Sequence, residues 1–150
     1  MVLSLLQGNL ITKKIHFECS LDPEMLVYAD RTHLSLVMQN LVSNAIKFTQ
    51  EKGKISVYAS QQDDMIIICV ADNGVGIASQ RLNDLFQIET SFSTVGTANE
   101  KGTGLGLILC HELVRENGGQ IWAESTLSEG SRFYFTLPSS IRALAVLDED

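Results

Sequence analysis

From Leu34 onward the apolar residues fall at 34, 37, 38, 41, 42, 45 and 46. That stripe at helical spacing predicts a helix with Asp30 as its N-cap, fading near Thr49. Residues 13–20 alternate instead, with Ile15, Phe17 and Cys19 on one side and Lys14, His16 and Glu18 on the other, which predicts a half-buried strand. Leu26–Ala29 reads as a second, short strand. Lys54–Ser60 and Met65–Ala71 read as two strands joined by the polar turn Gln61–Asp64. The second is apolar on both faces, so it belongs at the centre of a sheet. A short helix is expected over Ala78–Phe86, and a longer one over Leu105–Glu116, ended by Asn117-Gly118-Gly119. Two closing strands, Gln120–Ser125 and Arg132–Leu137, precede Pro138. Between Gln87 and Thr103 lies a polar stretch with little periodicity, and a loop that long inside a compact domain is usually a functional lid or disordered. About six strands and three helices, interleaved without regular βαβ repetition, predict an α/β (α+β) two-layer sandwich. One mixed, mostly antiparallel sheet would carry the three helices on one face.

Composition narrows this picture. The 150 residues suit one domain, and a hydrophobic content of 45% fits a packed core. The net charge of −7 argues against nucleic acid or an anionic membrane as partner. Any positive groups in a functional site are therefore few and individually placed. Cys19, Cys69 and Cys110 sit far apart in apolar stretches, without a CxxC, and are expected to be three reduced core thiols. The longest apolar run, Met65–Ala71, is too short to span a bilayer, and the first residues carry no charged leader pattern. Met1 to Leu6 reads as the cut end of a helix, so the chain is expected to be a fragment of something longer.

Three polar elements carry candidate chemistry. Asn40, Asn44 and Lys47 are spaced i, i+4, i+7 and share one helix face beside the apolar stripe. An amide oxygen is a hard, neutral ligand suited to Mg²⁺, and Lys47 offers a point charge for phosphate. Alone, that spacing is better read as a solvated helix edge. Asp72 ends the apolar strand and is followed by Asn73-Gly74-Val75-Gly76, a turn whose glycines permit close backbone approach to a ligand. A carboxylate there needs a donor, which could be an adenine amino group or its own backbone in an Asx turn. Gly102-Thr103-Gly104-Leu105-Gly106 runs straight into a helix, whose free N–H groups make an anion site. It is neither a lysine-containing P-loop nor a dinucleotide fingerprint, since no Gly-Lys-Ser/Thr follows and no strand precedes it. Its alternative is a flexible entry to a core helix.

In order and spacing the three elements resemble the catalytic, ATP-binding domain of two-component sensor histidine kinases. This is the Bergerat-type fold shared with gyrase, mismatch-repair and heat-shock chaperone ATPases. Asn40-Leu-Val-Ser-Asn44-Ala-Ile-Lys47-Phe48-Thr49 matches the family's N box. Asp72-Asn-Gly-Val-Gly76-Ile77 matches its G1 box, and Gly102-Thr-Gly-Leu-Gly106-Leu its G2 box. Gly130-Ser-Arg-Phe133 and Phe135-Thr-Leu-Pro138 resemble its closing segment. The resemblance implies roles. Asn44 would coordinate Mg²⁺, with Asn40 in support, and Lys47 would contact phosphate. Asp72 would accept from the adenine amino group in a pocket shaped by Gly74, Gly76 and Ile77. Residues 87–103 would form the ATP lid, with Lys101, Gly102, Thr103, Gly104, Leu105 and Gly106 around the triphosphate and Thr136 on the closing strand. Residues 1–9 would be a remnant of a preceding dimerisation hairpin, 10–138 the catalytic domain and 139–150 a tail. One departure concerns the Phe-x-x-Phe box before the lid, where Phe86 is followed three residues later by Glu89, with Phe92 beyond.

The resemblance also implies what this chain lacks. The family's phosphoacceptor histidine lies on a separate helical hairpin, and none of His16, His33 and His111 sits in its pattern. His111-Glu112 begins like it, but no proline follows, so His111 is read as an ordinary helix residue. The chain would hold ATP and Mg²⁺ and hand the γ-phosphate to a histidine on the dimerisation domain of its parent. A response regulator receiver domain would act downstream. This fragment would be a monomer and its parent a homodimer, with the domain cytoplasmic whether or not the parent is membrane-anchored. An ATP-hydrolysing relative of the fold would place a glutamate where Asn40 stands, and Asn40 is a poor general base. A serine kinase of the anti-sigma type and a non-catalytic nucleotide sensor remain the other readings.

Overall fold

The computed structural model describes residues 2–86 and 106–140, with side chains from residue 7 onward. In chain order the elements are α1 (Val2–Thr12), β1 (His16–Ser20), α2 (Arg31–Phe48), β2 (Lys54–Gln62) and β3 (Met65–Asp72). After them come α3 (Ser79–Leu82), α4 (Gly106–Glu116), β4 (Ile121–Thr126) and β5 (Gly130–Pro138). The strands form one sheet in the order β1-β2-β3-β5-β4. Only β1 and β2 run parallel, and the other pairs are antiparallel.

Strand β3 is central, as its unbroken apolar run requires. One face of the sheet presents Ile55, Val57, Ile66, Ile68, Val70, Phe133, Phe135 and Leu137, all buried. Against them pack Val37, Leu41, Val42, Ala45 and Ile46 of α2, and Cys110, Leu113 and Val114 of α4. The predicted stripe of α2 is thus the seam of the core. The other face carries a row of cross-strand neighbours, Tyr58, Cys69, Tyr134 and Trp122. Trp122 stacks on Tyr134 with ring centroids 5.4 Å apart.

The start of α2 is fixed as its sequence suggests. The Asp30 carboxylate accepts from the His33 N–H at 3.0 Å, and that bond holds the carboxyl below its ordinary range. The end of α4 reaches the same point. The Asn117 side-chain oxygen accepts from the Asp30 N–H at 2.8 Å, and its amide nitrogen donates to Leu113 O at 2.7 Å and lies 3.0 Å from His33 Nδ1.

Several expectations are corrected. Five strands form the sheet, and Leu26–Ala29 supplies only an isolated bridge between Val27 and Ser139. The strand expected from residue 13 begins at His16, because α1 continues to Thr12 and Lys14 reverses the chain at φ 56°. The short helix expected over Ala78–Phe86 is the single turn Ser79–Leu82. With α1 included, four helices stand among the described residues where three were expected. Cys69 and Cys110 are buried, and burial pushes their thiols up, Cys110 to about 12. Cys19 is exposed, on the edge strand β1.

Phe135 is fully buried where β5 meets both long helices. Phe135→Ala is expected to lower unfolding stability by about 3–5 kcal/mol, measured by chemical denaturation. A loss under about 1 kcal/mol would mean the core closes around the cavity.

Candidate functional site

A helix leaves its last four carbonyls without partners. At the end of α2 those carbonyls belong to Ala45, Ile46, Lys47 and Phe48, and each is satisfied from outside the helical ladder. The Thr49 hydroxyl donates to Ala45 O at 2.6 Å. Lys13 Nζ donates to Ile46 O at 2.7 Å and to Lys47 O at 3.2 Å. The Val75 N–H, from the turn after β3, donates to Phe48 O at 3.1 Å. The helix bearing Asn40, Asn44 and Lys47 is therefore tied directly to the turn bearing Gly74 and Gly76. Lys47 itself is buried along its stem, with its ammonium 4.9 Å from the centroid of the Phe48 ring.

Asp72 lies half-buried at the end of β3, on the same face as Ile66, Ile68 and Val70. Its carboxylate accepts from the Gly74 N–H at 2.8 Å and also interacts with the backbone of Ser131, its partner on β5. The Asx turn expected as an alternative to ligand binding is thus present, and it orients the carboxylate. Burial raises the Asp72 carboxyl above its ordinary value, opposed by those two backbone donors.

The turn is pinned on every side. Asn73 accepts from the Lys54 N–H at 2.8 Å, and Val75 O accepts from the Ser128 N–H at 2.9 Å. Gly76 adopts φ 76°, and a Cβ there would lie 2.2 Å from Thr126 O, so no other residue fits without moving the β4–β5 hairpin. The Ile77 N–H donates to Ser125 Oγ at 2.7 Å. Ser125 Oγ also donates to Gly130 O at 2.9 Å and lies 2.8 Å from Ser131 Oγ. An open polar cavity of about 200 Å³ lies here, with Asp72, Ser125, Gly130, Ser131 and Arg132 in its lining.

The start of α4 meets α2 at Asn40. A Cβ on Gly106 would come within 2.8 Å of Asn40 Oδ1, so the glycine lets the α4 terminus rest against the Asn40 amide. Asn40 Nδ2 donates to Leu36 O at 2.9 Å, which turns that oxygen toward Gly106. Two of the three elements picked out in the sequence thus meet at Asn40, and two meet at Phe48. Lys101, Gly102, Thr103, Gly104 and Leu105, with the rest of the expected lid, lie outside the described residues, as do Glu89 and Phe92.

Thr136 is not brought to this place. It faces the other side of the sheet with Tyr134, and its hydroxyl accepts from the Gln120 N–H at 3.0 Å. On the same strand it is Ser131 that pairs with Asp72. A signal for it exists in the sequence: Ser125 and Ser131 occupy inward positions in strands otherwise apolar at that spacing, and buried polar groups are informative. Phe86 stacks on His111 at 6.0 Å between centroids, so this ring packs on α4. That contact gives His111 a packing role that no motif announced.

Known proteins resemble this chain in sequence and in fold. Residues 29–141 match the family model described as histidine kinase-, DNA gyrase B-, and HSP90-like ATPase. The phytochrome-like protein Cph1 of Synechocystis sp. is 43% identical over 114 residues, which are 75% of this chain and 15% of that protein. The catalytic domain of the histidine kinase ThkA, solved without nucleotide, superposes with a TM-score of 0.77 at 34% identity, covering 91% of this chain and 87% of that one. ThkA has also been solved in complex with the response regulator protein TrrA, with a TM-score of 0.74 at 31% identity over 91% of this chain and 38% of that one.

The raised Asp72 carboxyl has a consequence for stability. A folded-state value above the unfolded one adds stability at low pH that is lost as pH rises through the folded value. Asp72→Asn is therefore expected to unfold at a higher temperature than wild type at neutral pH, with the gap closing as pH falls to about 4. Calorimetric scans across that range check it, and an Asn variant less stable at neutral pH would mean the Gly74 and Ser131 bonds outweigh burial.

Proposed function

The chain belongs to the histidine kinase-, DNA gyrase B- and HSP90-like ATPase family, and we propose that it is the ATP-binding catalytic domain of a sensor histidine kinase. It would bind Mg-ATP and donate the γ-phosphate to a histidine on a separate dimerisation domain. The observation that carries this reading is the convergence of Asn40 on Gly106 and of Phe48 on the Asp72 turn. The chain spans only 15% of the length of Cph1, so the activity of the whole protein is part of the proposal.

In this reading Asp72 accepts from the adenine amino group with the carboxylate lone pairs that Gly74 and Ser131 leave open. Ser125 and Ser131 hold the pocket wall. Lys47 meets phosphate, and Gly102 and Gly104 lead the lid over the triphosphate. The donor set suits a magnesium–phosphate group: Asn44 and Asn40 offer neutral amide oxygens next to one cation. Among the described residues no three His, Cys, Asp or Glu side chains gather to cage an ion. Mg²⁺ would thus rest on Asn44, water and the substrate's own phosphates. Bound there, it would neutralise charge on the transferred group.

What the chain contributes to transfer is positioning and charge. Its own histidines are engaged elsewhere: His16 beside Glu18 at 3.1 Å, His33 against Asn117 and His111 against Phe86. Asn40, bonded to Leu36 O, cannot serve as base for a water, which favours transfer over hydrolysis. The acceptor imidazole would come from the dimerisation domain, and a receiver domain would take the phosphoryl group onward, the class of partner present in the ThkA–TrrA complex. Among the described residues no helix is long and apolar enough to cross a membrane. The domain is proposed to work in the cytoplasm, where ATP is available.

Titration calorimetry with a non-hydrolysable ATP analogue and Mg²⁺ tests the reading. Saturable binding is expected for this chain, weakened at least about tenfold in Asp72→Asn through loss of a charged hydrogen-bond acceptor. No binding by the wild-type chain would overturn the proposal. Light scattering is expected to report a monomer in dilute solution, since the dimer contacts would lie on the hairpin, and a concentration-independent dimer would contradict that part.

A further inference from the structure

Lys13 stands outside every motif, between α1 and β1, yet it is 8% exposed. A buried ammonium is costly unless several acceptors surround it. Its Nζ finds two of them, Ile46 O at 2.7 Å and Lys47 O at 3.2 Å, at the negative end of the α2 dipole. Its backbone is equally committed. The Lys13 N–H donates to Asn9 O at 3.1 Å, and its carbonyl accepts from the Lys52 N–H at 3.0 Å. The Ile15 N–H closes on Leu10 O at 3.0 Å, and Leu10 packs against the core. The reversal at Lys14 leaves Lys13 little freedom to swing away.

The two carbonyls that Lys13 holds belong to Lys47 itself and to the residue before it, within one turn of Asn44. The Asp72 turn shares one bond with the end of α2, from the Val75 N–H to Phe48 O, a carbonyl that Lys13 does not touch, and is otherwise held by bonds from Lys54, Ser128, Ser125 and Ser131. We propose that Lys13 is a positioning residue for the metal–phosphate half of the nucleotide site, and that docking of α1 on the end of α2 sets the geometry of Asn44 and Lys47 through it. This rests on the nucleotide reading above. Without the ammonium, Lys47 O loses this donor, Ile46 O keeps only the long 3.4 Å bond from the Thr49 N–H, and the last turn of α2 frays. A shift of α1 along α2 has the same effect, so phosphate affinity depends on how α1 is seated.

The test uses the full chain, Lys13→Met and Lys13→Arg. Each is titrated with the Mg²⁺-loaded ATP analogue by calorimetry and with adenosine by NMR. Lys13→Met is expected to bind the Mg²⁺-loaded analogue about tenfold more weakly and adenosine within about twofold of wild type. Lys13→Arg, which keeps a charged donor, is expected to stay within about threefold for both. Amide hydrogen exchange at residues 46–49 of the nucleotide-free chain is expected to rise about tenfold in Lys13→Met. Equal weakening of both ligands would mean general destabilisation, and unchanged exchange or unchanged analogue binding would remove the role. Each of these results overturns the inference while leaving the nucleotide reading intact. A wild-type chain that binds neither ligand overturns both. If the methionine variant fails to fold, Lys13→Gln supplies the same comparison, with the selective loss expected and an equal loss on both ligands overturning it.

Discussion

The end of α2 is where this domain is held together. Its four terminal carbonyls must find donors, because a helix cannot supply them and burial denies them water. The donors come from three parts of the chain: Thr49 just beyond the helix, Lys13 after α1, and Val75 in the turn after β3. One requirement of backbone chemistry thus joins the segment before the sheet, the helix with the two asparagines, and the carboxylate turn. Seating the helix that bears Asn44 and Lys47 against the turn that follows Asp72 comes from satisfying those carbonyls.

The opposite end of the helix pair is closed by a second set of bonds. Asp30 caps α2, while Asn117, ending α4, holds the Asp30 N–H and reaches His33. Between these ends the apolar seam of Val37, Leu41, Val42, Cys110, Leu113 and Val114 presses both helices onto β3 and β5. With its foot fixed, α4 presents its first residue, Gly106, against the Asn40 side chain. Core packing and site geometry are therefore one arrangement. That explains why small residues appear where two backbones approach.

A half-buried carboxylate in such a place works against stability. Desolvation raises the Asp72 carboxyl, and the Gly74 and Ser131 donors offset this only in part. A group retained against that cost is a reasonable mark of a binding site, because an incoming donor relieves it. The serines behind it act as the rigid wall that keeps the carboxylate aimed.

Periodicity alone determined most of the elements. The stripe from Leu34 to Ile46, the apolar run Met65–Ala71 and the inward residues Phe133, Phe135 and Leu137 each announce their element because burial repeats with the local geometry of helix or strand. The Asp30 cap and the Gly118-Gly119 stop were legible for the same reason: each acts within one turn of its own backbone. What the sequence could not reveal depends on residues distant along the chain. Leu26–Ala29 has strand composition but meets only Ser139, so pairing decided that it is a bridge and not a sixth strand. Cys19 has a core-like neighbourhood in sequence, and only its place on an edge strand exposes it. Thr136 and Ser131 lie on one strand five residues apart, and the pleat assigns them to opposite faces. Lys13 is one of two adjacent lysines, nothing in the sequence sets it apart from Lys14, and the fold places it on carbonyls more than thirty residues away. Local rules are written in short-range repeats, whereas a site is built from contacts whose partners only a closed tertiary structure brings within bonding distance.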